Sequence, residues 1–247
     1  MFPIEAAVPV RYPPFVTWGL IAVNALVFLY QISLPPQMLE AFIYRYALVP
    51  ARYAHPEWAA WIGLPPGDYL PFLTNMFLHG GWLHVISNMW TLYIFGPAIE
   101  DRLGKGRFLV FYLVCGIGAS VAHLAANADS AIPALGASGA IAGVIGAYMR
   151  LFPLARVIVL IPILFLPYFI ELPAAIFAGL WFVLQLIQGV GEFFAPSSGG
   201  GVAWWAHVGG FVFGWLIIRM IHRSARTYRP FQRDEGVLGF NPTGHGG

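Results

Sequence analysis

Charge is what this sequence has least of. Only 10% of its 247 residues are Asp, Glu, Lys or Arg, while 59% are hydrophobic; an average soluble domain is about 25% charged. That shortage places the chain in the membrane class before any motif is read. A net charge of +2 is too small to point to nucleic acid. The one cysteine, Cys115, excludes an intramolecular disulfide, and its apolar surroundings make it a small core residue. The zinc-protease pattern HExxH is absent, and His79 and His84 are five positions apart, unsuited to one helical face. No aspartate pair sits within an apolar segment, which argues against an aspartyl protease of the membrane. There is no internal repeat and no soluble second domain.

The apolar residues themselves fall into six segments. A helix needs about 20 mainly apolar residues to cross a bilayer. Residues 15–34, closed by Pro35-Pro36, qualify, as do 82–99, 107–126, 171–190 and 203–222 or nearly so. A fourth segment in chain order, 138–152, is too short to cross unless one end sits below the membrane surface in a water-filled cavity. The first segment lacks a small-x-small cleavage site and is followed by further spans, so it is no cleaved signal peptide. The expected fold is an all-α membrane protein: a six-transmembrane-helix bundle over 15–222 with a short central fourth helix, a 1–14 N-terminal segment and a basic, disordered 223–247 tail. Eleven basic residues (Arg11, Arg102, Lys105, Arg107, Arg150, Arg156, Arg219, Arg223, Arg226, Arg229, Arg233) share a side with both termini, against two (Arg45, Arg52) opposite. The termini are therefore expected in the cytoplasm. Residues 35–81, rich in Pro and Trp, read as an interfacial structure on the outer face. The 156–170 run, broken by Pro162 and Pro167, reads as interfacial or re-entrant. The Gly/Ser-containing 191–202 stretch reads as a mobile outer cap.

Polar side chains inside such segments are costly, so they default to function. Three clusters carry them. In HGGWLHVISNMW (79–90), His84 and Asn88 are four apart and share a helical face. In GASGAIAGVIGAYM (136–149), Ser138 lies between Gly136 and Gly139, and Gly139, Gly143 and Gly146 line one face. In WWAHVGGFVFG (204–214), His207 is followed by Gly210 and Gly214 on its own face. Taken singly, each is a packing or hydrogen-bonding residue. A GxSxG nucleophile elbow is absent, because residue 140 is Ala. Together, the topology puts Ser138, His207, His84 and Asn88 at similar depth, and two glycine stripes let backbones approach closely. A hydroxyl beside an imidazole is what nucleophilic catalysis requires. His84, Asn88 and the Ser138 backbone N–H are then candidate donors to an oxyanion. No carboxylate lies at this depth, so the expected unit is a Ser–His dyad whose ring is oriented by packing, with Trp204 and Trp205 as candidates. No metal or cofactor is expected.

In their order and spacing, HVISN (84–88), AIEDRLG (98–104), GASGA (136–140) and AHVGGFVFG (206–214) make the chain resemble the rhomboid family of intramembrane serine proteases. The resemblance covers roughly residues 15–222. It implies a six-helix core that cleaves transmembrane segments of single-span or other membrane proteins, within a lipid bilayer and without nucleic acid. By position it makes Ser138 the nucleophile, His207 the general base and His84 with Asn88 the oxyanion pair. Glu100 and Arg102 match structural polar positions. Some members carry a tyrosine four residues after the nucleophile, stacked on the imidazole; here that residue is Ala142. A Trp-Arg pair found in the first outer loop of some members is also missing. The absence of a transit peptide points to a prokaryotic plasma membrane. The rival expectations are a non-catalytic relative that binds or escorts transmembrane clients, and a small transporter. The transporter would need midplane charges or paired broken helices, and neither is evident. Oligomeric state and physiological substrate are not encoded legibly.

Overall fold

A computed structural model describes residues 2–163, 166–194 and 202–222. The chain opens with a short strand, β1 (Phe2–Ala6), and a long helix, α1 (Phe15–Ser33). Four short helices follow, α2 (Pro36–Tyr46), α3 (Ala51–Ala54), α4 (Pro56–Trp61) and α5 (Pro71–Thr74), and then a 3-10 turn at Asn75–Phe77. Next come α6 (Trp82–Leu103), α7 (Lys105–Ala126) and α8 (Ser138–Leu151). A hairpin of β2 (Arg156–Ile163) and β3 (Leu166–Pro173) leads to α9 (Ala174–Phe194) and α10 (Trp204–Ile221).

The protein is mostly helical, and four described helices are long and apolar enough to cross a bilayer: α1, α7, α10 and the Ala174–Glu192 part of α9. Their outward residues, such as Leu26, Val110, Ile187 and Leu216, remain exposed, as expected of surfaces that meet lipid rather than water. α6 is long but carries Glu100, Asp101 and Arg102 in its last turns. α8 has 14 residues, about 21 Å at the usual rise, and ten of them, Gly139 to Tyr148, are buried. It sits between α7, α10 and α6, and has little surface left for anything else.

The helices pack chiefly through missing side chains. A Cβ at Gly210 would collide with the Gly139 carbonyl oxygen, one at Gly214 with the Gly143 backbone, and one at Gly146 with the Phe211 carbonyl. α8 and α10 therefore touch backbone to backbone. On its other flank Gly143 meets Cys115 of α7, where a Cβ would lie 2.6 Å from the Cys115 Cβ. Cys115 is fully buried at that junction.

Polar staples hold the periphery. The Glu100 carboxylate accepts from the Val16 and Thr17 N–H groups at 3.0 and 2.8 Å and from the Thr17 hydroxyl at 2.8 Å. It thus caps the N-terminus of α1 from the far end of α6, satisfying donors that no helical carbonyl can reach. Asp101 accepts from the Tyr12 N–H at 3.2 Å. In the segment between α1 and α6, Arg52 is completely buried and donates to the Pro65 carbonyl at 2.9 Å and to Asp68 at 3.2 Å. This loop is thus anchored by an arginine, though not by an adjacent Trp-Arg pair.

Two expectations need correction. The fold is not purely α, because β1, β2 and β3 form an antiparallel sheet in that order. The 156–170 stretch is a hairpin, with Val159 opposite Ile170 and Pro162 opposite Pro167. Its β-branched run favours the extended state, and the two prolines face each other one pair from the end of the described ladder. Within the 1–14 segment β1 pairs with β2, and the Trp90 indole donates to the Pro3 carbonyl at 2.8 Å. Glu171 belongs to β3, where it pairs with Arg156, so α9 begins at Ala174 and not at 171. Residues 195–201 of the expected cap and the whole 223–247 tail lie outside the described residues.

Candidate active site

Ser138 is the first residue of α8. The loop that delivers it is tied down by backbone bonds between Leu48 and Ala134 at 2.8–2.9 Å and by the Gly136 N–H donating to the Asn75 carbonyl at 2.9 Å. Gly136 has φ +128°, a conformation open mainly to glycine. A Cβ there would also lie 2.7 Å from His84 Nε2. Both the turn and the close approach of α6 therefore require glycine at this position.

His207 lies in the first turn of α10. Its Nε2 is 2.8 Å from Ser138 Oγ. The interlocked glycines explain this short distance: with Gly210 seated on Gly139, the residue one turn earlier on α10 comes level with the start of α8. Ser138 is half-buried and His207 is only 8% exposed.

His84 and Asn88 project from α6 toward the same place. The Gly80 N–H donates to His84 Nδ1 at 3.4 Å, which leaves Nε2 as the ring atom that faces Gly136. Asn88 is 7% exposed, and its Nδ2 finds no partner among the described residues. A buried amide donor without an acceptor costs about 1–3 kcal/mol. The Ser138 N–H, in the first turn of α8, has no carbonyl within its own helix. His84 Nε2 and Asn88 Nδ2 both face Gly136, two residues before the serine, where an added Cβ would lie 2.7 and 3.6 Å from them. Next to them a cavity of about 20 Å³, lined by Asn75, Ser120, His123, Gly136 and Ser138, has room for one water.

The ring of His207 is not held by packing alone, as the sequence led us to expect. His207 Nδ1 lies 2.7 Å from Gln185 Oε1 on α9. Trp181, one turn earlier on α9, lies against the imidazole with ring centroids 5.8 Å apart and planes tilted by 33°. Of the two tryptophans singled out, Trp204 meets the imidazole edge-on at 6.0 Å, whereas Trp205 turns toward Gly189. Gln185 was overlooked, although the rule applied to His84 and Asn88, that a polar residue within an apolar helix calls for a function, applies to it equally. Among the described residues no cluster of His, Cys, Asp or Glu is arranged to hold a metal ion.

Residues 66–224, more than half of the chain, match the rhomboid domain. The chain belongs to the rhomboid family. This rhomboid is 41% identical over 83 residues to rhomboid protease GluP of Bacillus subtilis, a stretch covering 34% of the chain and 16% of GluP. It is 34% identical over 88 residues to YdcA of the same species, a provisionally named rhomboid protease, covering 36% of the chain and 44% of YdcA. With mitochondrial Rhomboid protein 1 of Saccharomyces cerevisiae it shares 27% identity over 155 residues, covering 61% of the chain and 40% of that protein. The chain thus matches less than half the length of each of these relatives. With family membership and its apolar helices, this rhomboid is a multi-pass membrane protein.

Proposed function

We propose that this rhomboid is an intramembrane serine endopeptidase that cleaves transmembrane segments of other membrane proteins through a Ser138–His207 dyad. The observation that carries the reading is the 2.8 Å approach of Ser138 Oγ to His207 Nε2. In the proposed reaction His207 Nε2 takes the hydroxyl proton as Oγ attacks a peptide carbonyl carbon. The negative oxygen of the tetrahedral adduct is met by Asn88 Nδ2, His84 Nε2–H and the Ser138 N–H. The adduct collapses, the amine leaves with the proton held by His207, and an acyl-enzyme remains. A water drawn through the small cavity gives a proton to His207 and attacks the acyl carbon; the acyl carbon–Oγ bond then breaks, Oγ takes the proton back from His207, and the second product departs as the acid. All of this uses the chain's own residues and no cofactor.

The substrate helix enters between α6 and α9, the two elements that bring the donors and the imidazole's partners to the serine. Helix-breaking or small residues near the cut favour cleavage, because an intact helix hides its carbonyls in hydrogen bonds. In the proposed topology α1, α6, α7, α8, α9 and α10 are the six spans, α8 reaching the surface through the polar cavity. Both termini lie in the cytoplasm of a prokaryotic cell, and residues 15–222 form the membrane domain. Ser138→Ala, purified in detergent and given a single-span substrate, is expected to lose cleavage by about 10⁴-fold or more; cleavage at the normal rate would refute the assignment. A serine-directed fluorophosphonate is expected to label folded wild type and not the variant. Folded wild type that never labels would favour a relative that binds or escorts clients.

A further inference from the structure

The partner of His207 Nδ1 is the feature of this site that neither the motifs nor the dyad accounts for. A dyad leaves Nδ1 free to bond anything or nothing. Here a glutamine has been brought into an apolar helix to meet it. Gln185 is only 7% exposed, and an apolar residue of the same length would remove the desolvation cost of a buried amide. The amide's two ends are not interchangeable either. Gln185 Nε2 donates to the Trp181 carbonyl, one turn back on α9, at 3.3 Å. An amide nitrogen has no lone pair to offer, so this bond fixes which way the amide points and leaves Oε1, an acceptor only, facing His207 Nδ1 at 2.7 Å.

We propose that Gln185 is a positioning residue for His207. It locks the resting imidazole in the tautomer with its proton on Nδ1 and its lone pair on Nε2, the lone pair aimed at the Ser138 hydroxyl. This inference rests on the serine–histidine reading above. In a classical triad a carboxylate does this work and also balances the imidazolium charge. A carboxylate inside a span is expensive, and among the described residues none lies beside His207; Glu100 and Asp101 sit three turns along α6 from Asn88, tied to α1 and its approach. The amide supplies the acceptor without the charge. Trp181, on the same face of α9 four residues earlier, closes the remaining freedom of the ring by lying against it. That is the role left empty by Ala142 on α8. One turn of α9 therefore sets both the tautomer and the tilt of the base.

The test uses full-length protein in detergent, with Gln185→Leu, Gln185→Met and Gln185→Glu beside wild type and Ser138→Ala. Three quantities are read: the rate of Ser138 acylation by a fluorophosphonate, kcat and KM on a transmembrane substrate, and the imidazole nitrogen shifts in ¹⁵N-histidine protein, His207 being assigned by difference from His207→Ala. The Leu and Met variants are expected to acylate about 10–100-fold more slowly, the range seen when the orienting partner of a metal-bound histidine is removed. Their loss falls on kcat with KM unchanged, and thermal stability is kept or raised. The Glu variant, whose carboxyl oxygen can still accept from Nδ1, recovers most of the rate. Wild-type His207 shows protonated Nδ1 and unprotonated Nε2, and the Leu variant a mixture of tautomers. Full-rate acylation by the Leu and Met variants, or a wild-type His207 protonated at Nε2, overturns the proposal. The wild-type shifts decide the matter even if the apolar variants fail to fold. If wild type is never acylated at Ser138, the protease reading fails instead, and the two failures are told apart.

Discussion

Two kinds of helix junction meet at Ser138, and they fail differently. The α8–α10 seam is made of backbone against backbone, Gly210 on Gly139 and Gly214 on Gly143. The junctions of this pair with α6 and α9 are made by side chains: Phe95 of α6 against Tyr148 of α8, and Gln185, Trp181 and Phe182 of α9 against His207 and Phe211 of α10. A backbone seam has no rotamers to adjust, so it either closes or does not. A side-chain junction can lose one group and keep its helices in place. The seam fixes where the hydroxyl and the imidazole are; the side chains fix what they can do.

The strongest test of that difference is a bulky residue in the seam. Gly210→Leu must push α10 away from the Gly139 carbonyl, a cost well above the ~1–3 kcal/mol of ordinary overpacking. Folded, fluorophosphonate-reactive protein should not be recovered by size-exclusion chromatography. Gly179→Leu on α9, where an added Cβ meets nothing within 4 Å, should be recovered like wild type. If both behave alike, the comparison fails.

Next in size is Asn88→Leu. It removes a buried donor that has no acceptor among the described residues, so thermal stability should hold or rise. Cleavage should fall by about 10²–10³-fold if Asn88 serves the oxyanion. A loss of stability in step with activity would instead make Asn88 part of the scaffold.

The smallest effect belongs to the sheet. Arg156 and Glu171 bridge β2 and β3 at 3.0 Å with both side chains largely exposed, and such pairs contribute about 0–1 kcal/mol. Arg156→Gln should shift the melting temperature only slightly and leave cleavage unchanged.

These junctions also show what was legible in the sequence. The apolar runs located helices to within a few residues: 138–152 corresponds to α8 at Ser138–Leu151, and 203–222 to α10 at Trp204–Ile221. Glycine stripes beside Ser138 and His207 were readable because a helix has a fixed period, so Gly139/Gly143 and Gly210/Gly214 had to fall on single faces. The hairpin was hidden because, in an apolar chain, a strand lacks the polar alternation that marks it in a soluble protein. RVIVLIPILFLPYFI then reads the same whether it is strand, helix or interface. Gln185 stands out as a polar residue within an apolar helix, but its role was hidden for another reason. Its meaning lies in a partner 22 residues away on the next helix, and no local pattern joins them. Likewise nothing in the sequence announced that Glu100 would cap α1 across more than eighty residues, because such a bond depends on how two helix ends meet.

Cys115 adds one practical consequence. It is the chain's sole thiol, and it lies shut between α7 and Gly143 of α8. Any reagent that alkylates it must wait until those two helices part. The native protein thus carries its own timer at one specific joint, and the rate of alkylation counts how often the interior breathes open there, with no label introduced and no residue replaced.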